Sequence, residues 1–263
     1  VRLMIGREPD ELFPELPAPR ESIVLEGRAL RSASGLVDVP EFAVRHGEVV
    51  GIAGLDGSGR DVLARLLGGG ERPAEGSLRG DGEELPKPSP VRAIRSGISF
   101  VPPDRRRQAI VDEFSIARTI TQSSIWKFAR GGVLGVRREY ARAAAVGREM
   151  GVKTPDFRNG ILTLSGGNQQ KAVLSRAIVA ESKVLVCDEP TAGVDVGARA
   201  DIYGRFAQLA TAGLGIVLSS SDMVELIGMC HRIVVIREGR VSEIVPASEA
   251  TEERLIAAQL PQS

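Results

Sequence analysis

The sequence predicts an α/β protein: a doubly wound, mostly parallel sheet, with an N-terminal antiparallel β part and an inserted helical subdomain. Three stretches carry that reading. From Lys183 onward apolar runs alternate with helical patterns, as Lys183–Cys187, Gly197–Ala212, Gly215–Ser219, Met223–Gly228 and Arg232–Arg237. Strands that alternate with helices pack as parallel units with right-handed crossovers. Glu48–Ala53 runs straight into Gly54-Leu55-Asp56-Gly57-Ser58-Gly59-Arg60-Asp61, a strand that enters a helix through glycines, as phosphate-binding loops do. Val184-Leu185-Val186-Cys187 ends in the paired carboxylates Asp188 and Glu189, and a strand without polar alternation is one buried on both faces.

Taken in order, residues 1–20 hold Gly6, prolines and mixed charge and read as a linker or extended tail. Residues 21–263 read as one domain, with a helical subdomain at about 112–165. Glu21–Arg28 and Leu36–Val44 alternate as strands about a Ser/Gly turn. A helix from Asp61 to Leu67 is stopped by Gly68-Gly69-Gly70. Residues 71–97 are turn-rich with one helix, and Gly97–Val101 is a strand ended by Pro102-Pro103. Ala117–Phe128 and Arg138–Met150 have helical periodicity and are separated by Gly131-Gly132. Arg240–Val245 and Glu252–Gln259 close the chain as a strand and a surface helix.

The 263 residues suffice for a sizeable core. Lys+Arg and Asp+Glu stand at 34 each, and a formal charge of zero argues against a nucleic-acid or anionic-lipid surface. Cys187, in an apolar run, and Cys230, beside His231, suggest reduced, buried thiols and an intracellular protein. No apolar run approaches the ~18–20 residues that span a bilayer. The chain opens on Val1 and is expected to be a piece of a longer polypeptide.

The chemistry concentrates in three motifs. Ser165-Gly166-Gly167 precedes the apolar-periodic run Ala172–Ala180. A helix that begins there directs unpaired N–H groups and the positive end of its dipole outward, so a phosphate fits it. Alone, the triplet reads as an ordinary serine cap. Gly54–Asp61 has the spacing G-x-x-x-x-G-K-[ST], with Arg60 in place of the lysine and Asp61 in place of the hydroxyl that ligates Mg²⁺. Gly57, Ser58 and Gly59 can still form a backbone anion nest. A guanidinium is a longer, planar fork than an ammonium, and Arg60 is expected to fold back on Asp56 or Asp61. Asp188 and Glu189 suit a metal and an attacking water, respectively.

The full string Leu162-Thr-Leu-Ser-Gly-Gly-Asn-Gln-Gln-Lys171 resembles the signature motif of the ATP-binding-cassette (ABC) ATPases. Its Gly-Asn-Gln-Gln-Lys form is similar to that of the second nucleotide-binding half of tandem importers of the ribose, galactose and xylose type. Met4–Glu8 resembles the stretch that joins the two halves. The resemblance implies a P-loop NTPase fold of ABC type and ATP with Mg²⁺ as ligands, weak or absent at this half's own loop. It implies that Ser165, Gly166, Gly167 and Asn168 meet ATP held by the first half, that Asp195 reaches across the interface, and that Gly54 joins the loop glycines. The implied partners are that first half, membrane permease subunits and, indirectly, a sugar-binding protein, at the cytoplasmic face of the membrane. A non-transport ABC protein or a regulatory pseudo-ATPase is the alternative. The sugar is not legible, because selectivity belongs to other subunits.

Several family residues are replaced. Pro103 stands where a γ-phosphate-sensing glutamine is expected, followed by Asp104-Arg105-Arg106-Arg107, and Ser221 stands where the switch histidine is expected. No aromatic residue lies between Glu21 and Pro40 to stack on adenine. His231 and His46 read as structural.

Overall fold

The computed structural model describes residues 12–86 and 88–260. The chain begins with β1 (Ile23–Arg31), β2 (Asp38–Arg45), β3 (Val49–Ala53), helix α1 (Arg60–Leu67), β4 (Glu75–Gly80), β5 (Glu83–Glu84), α2 (Pro90–Arg95) and β6 (Ile98–Val101). A helical stretch follows: α3 (Ile116–Thr121), a 3₁₀ segment (Gln122–Phe128), the hairpin β7 (Ala129–Arg130) and β8 (Val133–Leu134), and α4 (Val136–Glu149). Then come α5 (Gly166–Ala180), β9 (Val184–Asp188), α6 (Val196–Thr211), β10 (Gly215–Ser219), α7 (Met223–Met229), β11 (Arg232–Arg237), β12 (Arg240–Pro246) and α8 (Glu252–Gln259).

These strands form the doubly wound, mostly parallel sheet and the antiparallel β part that the sequence predicts. The main sheet has the order β12-β11-β3-β10-β9-β6 and is parallel except at β12. The second sheet, β2-β1-β4-β5, is antiparallel. Strand periodicity assigns alternate residues to opposite sides. Val49, Ala53, Leu185 and Cys187 join the core shared with the α5–α7 face, whereas Val50, Ile52, Val184 and Val186 join the core shared with α1 and the second sheet. In α1, Leu63, Leu66 and Leu67 are fully buried, each contributing about 1.5–3 kcal/mol. That anchors the helix whose N-terminus closes the glycine loop.

The turn-rich reading of 71–97 missed β4 and β5. β4 buries a single apolar side chain, Leu78, so it has no alternation to read. At Gly76, with φ 94°, it approaches the β1 backbone so closely that a Cβ there would lie 2.2 Å from the Ala29 carbonyl. The continuous helix expected over Ala117–Phe128 breaks after Thr121, where the chain tightens to 3₁₀ and Ser124 leaves helical geometry at φ −139°, ψ 29°. Gly131-Gly132, with both φ positive, turns the β7–β8 hairpin rather than merely separating two helices.

Residues 1–11 of the expected linker lie outside the described residues. From Leu12 onward it is held: Leu12, Phe13 and Leu16 pack on the core, and Phe13 stacks on Tyr203 with ring centroids 5.2 Å apart. Both histidines are structural. His231 Nδ1 accepts the Val49 N–H at 2.9 Å while Nε2 donates to the Pro17 carbonyl at 2.8 Å, and His46 lies 3.1 Å from the Gly213 carbonyl. Cys187 and Cys230 are free and buried, and burial pushes both thiols up.

Candidate functional site

The carboxyl ends of β3, β9 and β10, neighbours in the sheet, bring one group of site residues together. Gly57 and Gly59 turn the loop after β3 at φ 81° and 93°. Gly59, the N-cap of α1, has no side chain to cap it; the Ser58 hydroxyl accepts the Arg60 N–H at 3.4 Å, and the Ser58 N–H donates to the Leu55 carbonyl at 3.0 Å, so part of the anion-binding main chain is already engaged. The Ser58 hydroxyl is turned inward; a Cβ on Gly54 would lie 2.4 Å from it.

Of the two expected partners, Arg60 keeps Asp56, in a long ion pair from Nη2 at 3.9 Å, and does not fold back on Asp61. Its Nη1 instead pairs with Glu189 Oε1 at 2.8 Å and donates to Ser219 Oγ at 3.2 Å. Ser219 in turn donates to Asp188 Oδ1 at 2.8 Å. The Arg60 side chain is 7% exposed, and a charge so enclosed requires a partner. Asp61 is half-exposed and pairs with Arg65 one turn further on, at 2.8 Å. The physical reason for the correction is sheet order: β10 lies between β3 and β9, so a long side chain leaving β3's loop reaches across Ser219 to Glu189. Glu189 is fixed at φ 48°; its N–H donates to the Ser219 carbonyl at 2.8 Å and its Oε1 accepts the Ser221 N–H at 2.7 Å. Burial pushes the Asp188 carboxyl above the ordinary range, opposed by the Ser219 hydrogen bond and the Arg60 charge.

The serine–glycine turn forms a second group. Ser165 caps α5 by position, but its hydroxyl takes no helix N–H; it accepts Asn168 Nδ2 at 3.0 Å, and Asn168 Oδ1 accepts the Lys153 N–H at 2.9 Å. The Asn168 amide is thus engaged at both ends and braces the turn. Gln169 and Gln170 are buried, and Lys171 pairs with Asp201 of α6 at 2.6 Å, so the second half of the string faces the protein. A Cβ on Gly167 would lie 2.5 Å from that of Ala198, and one on Gly166 would lie 2.7 Å from Arg105 Nη2. Arg105 donates to the Ala192 carbonyl at 3.0 Å and approaches that of Gly193 at 3.5 Å; Arg106 and Arg107 remain exposed. Asp195 is exposed and caps α6 by accepting the Ala198 N–H at 3.0 Å.

Among the described residues, no hydrogen bond or ion pair joins Ser165–Asn168 to Gly54–Asp61, Asp188 or Glu189. Ser219, which links three of the charged groups, escaped the sequence reading. Its signal was faint: it opens the polar run Ser219-Ser220-Ser221-Asp222 at the end of an apolar strand.

The ABC transporter family model matches residues 37–192, a span that holds the glycine loop, the serine–glycine turn and the paired carboxylates. The chain belongs to the ABC transporter family. It is 42% identical over 257 residues to the ribose import ATP-binding protein RbsA 1 of Rubrobacter xylanophilus, covering 97% of this chain and 51% of that protein. It is 40% identical over 259 residues to the arabinose import ATP-binding protein AraG 2 of Burkholderia ambifaria, covering 98% and 50%. The chain therefore spans about half the length of the curated relatives it matches. Among solved structures, a nucleotide-free ATP-binding cassette from an ABC transporter superposes with a TM-score of 0.76 at 16% identity, over 92% of this chain and 100% of that one. A dimeric cassette bound to ADP and phosphate superposes at 0.71 and 20% identity, over 85% and 98%. These two likenesses establish the ABC-type P-loop fold.

The second of these cassettes was solved with ADP and phosphate bound. In this ABC chain two left-handed glycines, Gly57 and Gly59, leave the loop backbone free of side chains for a phosphate's approach, with the first helical N–H in a long bond to the Ser58 hydroxyl. The side chains fit less well, because Arg60 is turned onto Glu189 and Asp61, paired with Arg65, occupies the place of the metal-ligating hydroxyl.

Proposed function

We propose that this chain is the second nucleotide-binding half of a tandem ATPase that energises the import of a sugar through a membrane permease. In this reading its own phosphate loop is degenerate, and its main contribution is the Ser165-Gly166-Gly167 turn offered to ATP held by the first half. The names of the relatives support the import of a sugar, and the half-length match supports a companion half. The observation that carries the asymmetry is the Arg60–Glu189 pair: the carboxylate that would orient a water is held by the loop that would cradle the nucleotide. Bound Mg-ATP supplies the phosphoryl group and a divalent charge. Asp188 is the residue for the metal, Glu189 for the water, and the Gly54–Gly59 backbone for the phosphates. Preorganised N–H groups at Gly166 and Gly167 act as the electrostatic donors across the pair, and Asp195 is the contact on the loop between the halves. No helix among the described residues is long and apolar enough to cross a membrane; in this reading the chain is held at the cytoplasmic face by the permease, with the sugar-binding protein an indirect partner.

The test is sugar uptake by the full-length protein in cells. Ser165→Arg or Gly166→Asp places bulk or charge on a backbone anion site and is expected to abolish uptake. Glu189→Gln is expected to do less harm. If Glu189→Gln were the more damaging change, the roles of the two halves would be reversed.

A further inference from the structure

The loops that follow β9 and β10 are joined a second time, by a carboxyl group that the site above does not use. Glu225, in the first turn of α7, is 1% exposed. Its Oε1 accepts the Thr191 hydroxyl at 2.8 Å, and its Oε2 is buried without a hydrogen-bond partner. A buried carboxyl group bonded at one oxygen only is costly in its charged form, and burial raises its pKa above the ordinary range.

We propose that Glu225 is a positioning residue, a clasp that ties the 190–195 loop to the 219–222 loop and thereby sets where Glu189 and Asp195 stand. Thr191 lies two residues beyond Glu189. On the other side, the Ser219 carbonyl and the Ser221 N–H are the groups that hold the Glu189 main chain and side chain, at 2.8 and 2.7 Å. The same short helix holds the 190–195 loop at a second point. Asp222 caps α7 by accepting the Glu225 N–H at 3.1 Å, and its Oδ2 pairs with Arg199 Nη1 at 3.0 Å. Arg199 Nε donates in turn to the Val194 carbonyl at 3.2 Å, beside Asp195. The loop is thus pinned at Thr191 and at Val194 by one turn of α7. With the Thr191 pin removed it can pivot about Val194, and a small displacement of a positioned group is enough to slow chemistry. The clasp is a property of this chain alone; its effect on turnover rests on the composite site proposed above.

Hydrogen exchange and steady-state ATP hydrolysis of the full-length protein test it, with Glu225→Ala, Glu225→Gln and Thr191→Val. Glu225→Ala and Thr191→Val are each expected to speed amide exchange across 190–195 and 219–222 by about tenfold or more while α1 and α5 stay as in the wild type. Glu225→Gln keeps an oxygen for the Thr191 hydroxyl and is expected to leave exchange unchanged. In Glu225→Ala, kcat is expected to fall roughly ten- to a hundredfold with KM within about twofold, through displacement of Asp195 at the composite site and not through Glu189, and Glu225→Gln is expected to restore it. Unchanged exchange in Glu225→Ala, or exchange accelerated equally over the whole sheet, would overturn the clasp. Local loosening with kcat intact would leave the clasp standing and overturn the composite-site reading instead. Should Glu225→Ala fail to fold, Thr191→Val carries the same comparison with the carboxyl group in place.

Discussion

Arg60 brings a charge into a nearly closed environment and meets the Glu189 carboxylate there at 2.8 Å. A nucleotide that draws Arg60 toward its phosphates must break a pair whose loss leaves Glu189 without its cation, a cost that buried pairs make large. In the proposed reading Asp61 adds a second obstacle, its negative charge standing where the loop motif has a neutral hydroxyl for Mg²⁺. Its pair with Arg65 is half-exposed on both sides and so contributes at most about 1 kcal/mol. We therefore predict that Asp61→Thr combined with Arg60→Lys raises affinity for Mg-ATP by about tenfold or more, equivalent to ~1.4 kcal/mol. The compact ammonium suits a point contact with phosphate better than the planar fork does. Titration calorimetry of both proteins decides it. Tight binding by the wild type, or no gain in the double variant, would mean that Asp61 serves as a metal ligand and that the loop is a working site.

At the scale of elements, α7 makes a prediction about pH. The folded chain raises the pKa of Glu225 on this helix, chiefly by burial, so the native state binds that proton more tightly than the unfolded chain does. The sign follows from linkage: the group's contribution to stability is fully present below the unfolded glutamate value of about 4.3 and is lost as pH rises through the raised folded value. Glu225→Gln cannot ionise. Urea denaturation over a pH series is thus expected to show a flatter profile for Glu225→Gln and greater stability than the wild type at neutral pH; a wild-type profile as flat as the variant's would refute this. Other elements show where local pattern falls short. β4 is held by backbone approach at Gly76 and by pairing with β1, neither of which leaves a periodic trace. α5 was legible because its serine–glycine entry and apolar repeat are both local.

At the scale of the molecule, the serine–glycine turn opens α5, and the phosphate loop opens α1. No bond among the described residues joins the two. In the proposed reading the chain completes a nucleotide site only with a second module, and it also has Pro103 and Ser221 where sensing side chains are expected. Loss of each such positioning or electrostatic group costs about 10² to 10³ in rate. We predict that the purified chain by itself turns over ATP well below ~1 s⁻¹, the lower end of ordinary enzyme rates, in a phosphate-release assay. Turnover at or above that rate would mean that the chain assembles a competent site on its own.

The sequence by itself determined the sheet-and-helix alternation, the buried β3 and β9 strands and the positions of Gly54–Asp61, Ser165–Gly167 and Asp188–Glu189. Each of these is written in neighbouring residues, as a period of two, a period of 3.6 or a turn that glycine permits. What the side chains at those positions touch was decided only by the tertiary structure. Arg60 reaches Ser219, 159 residues away, and Glu189 beside it. Arg105, the first of three consecutive arginines, reaches Ala192, 87 residues on. Glu225 finds Thr191 34 residues back. Strand order, β3 against β10 against β9, places these groups within bonding distance. That order is set by the packing of the whole sheet, so no local pattern encodes it.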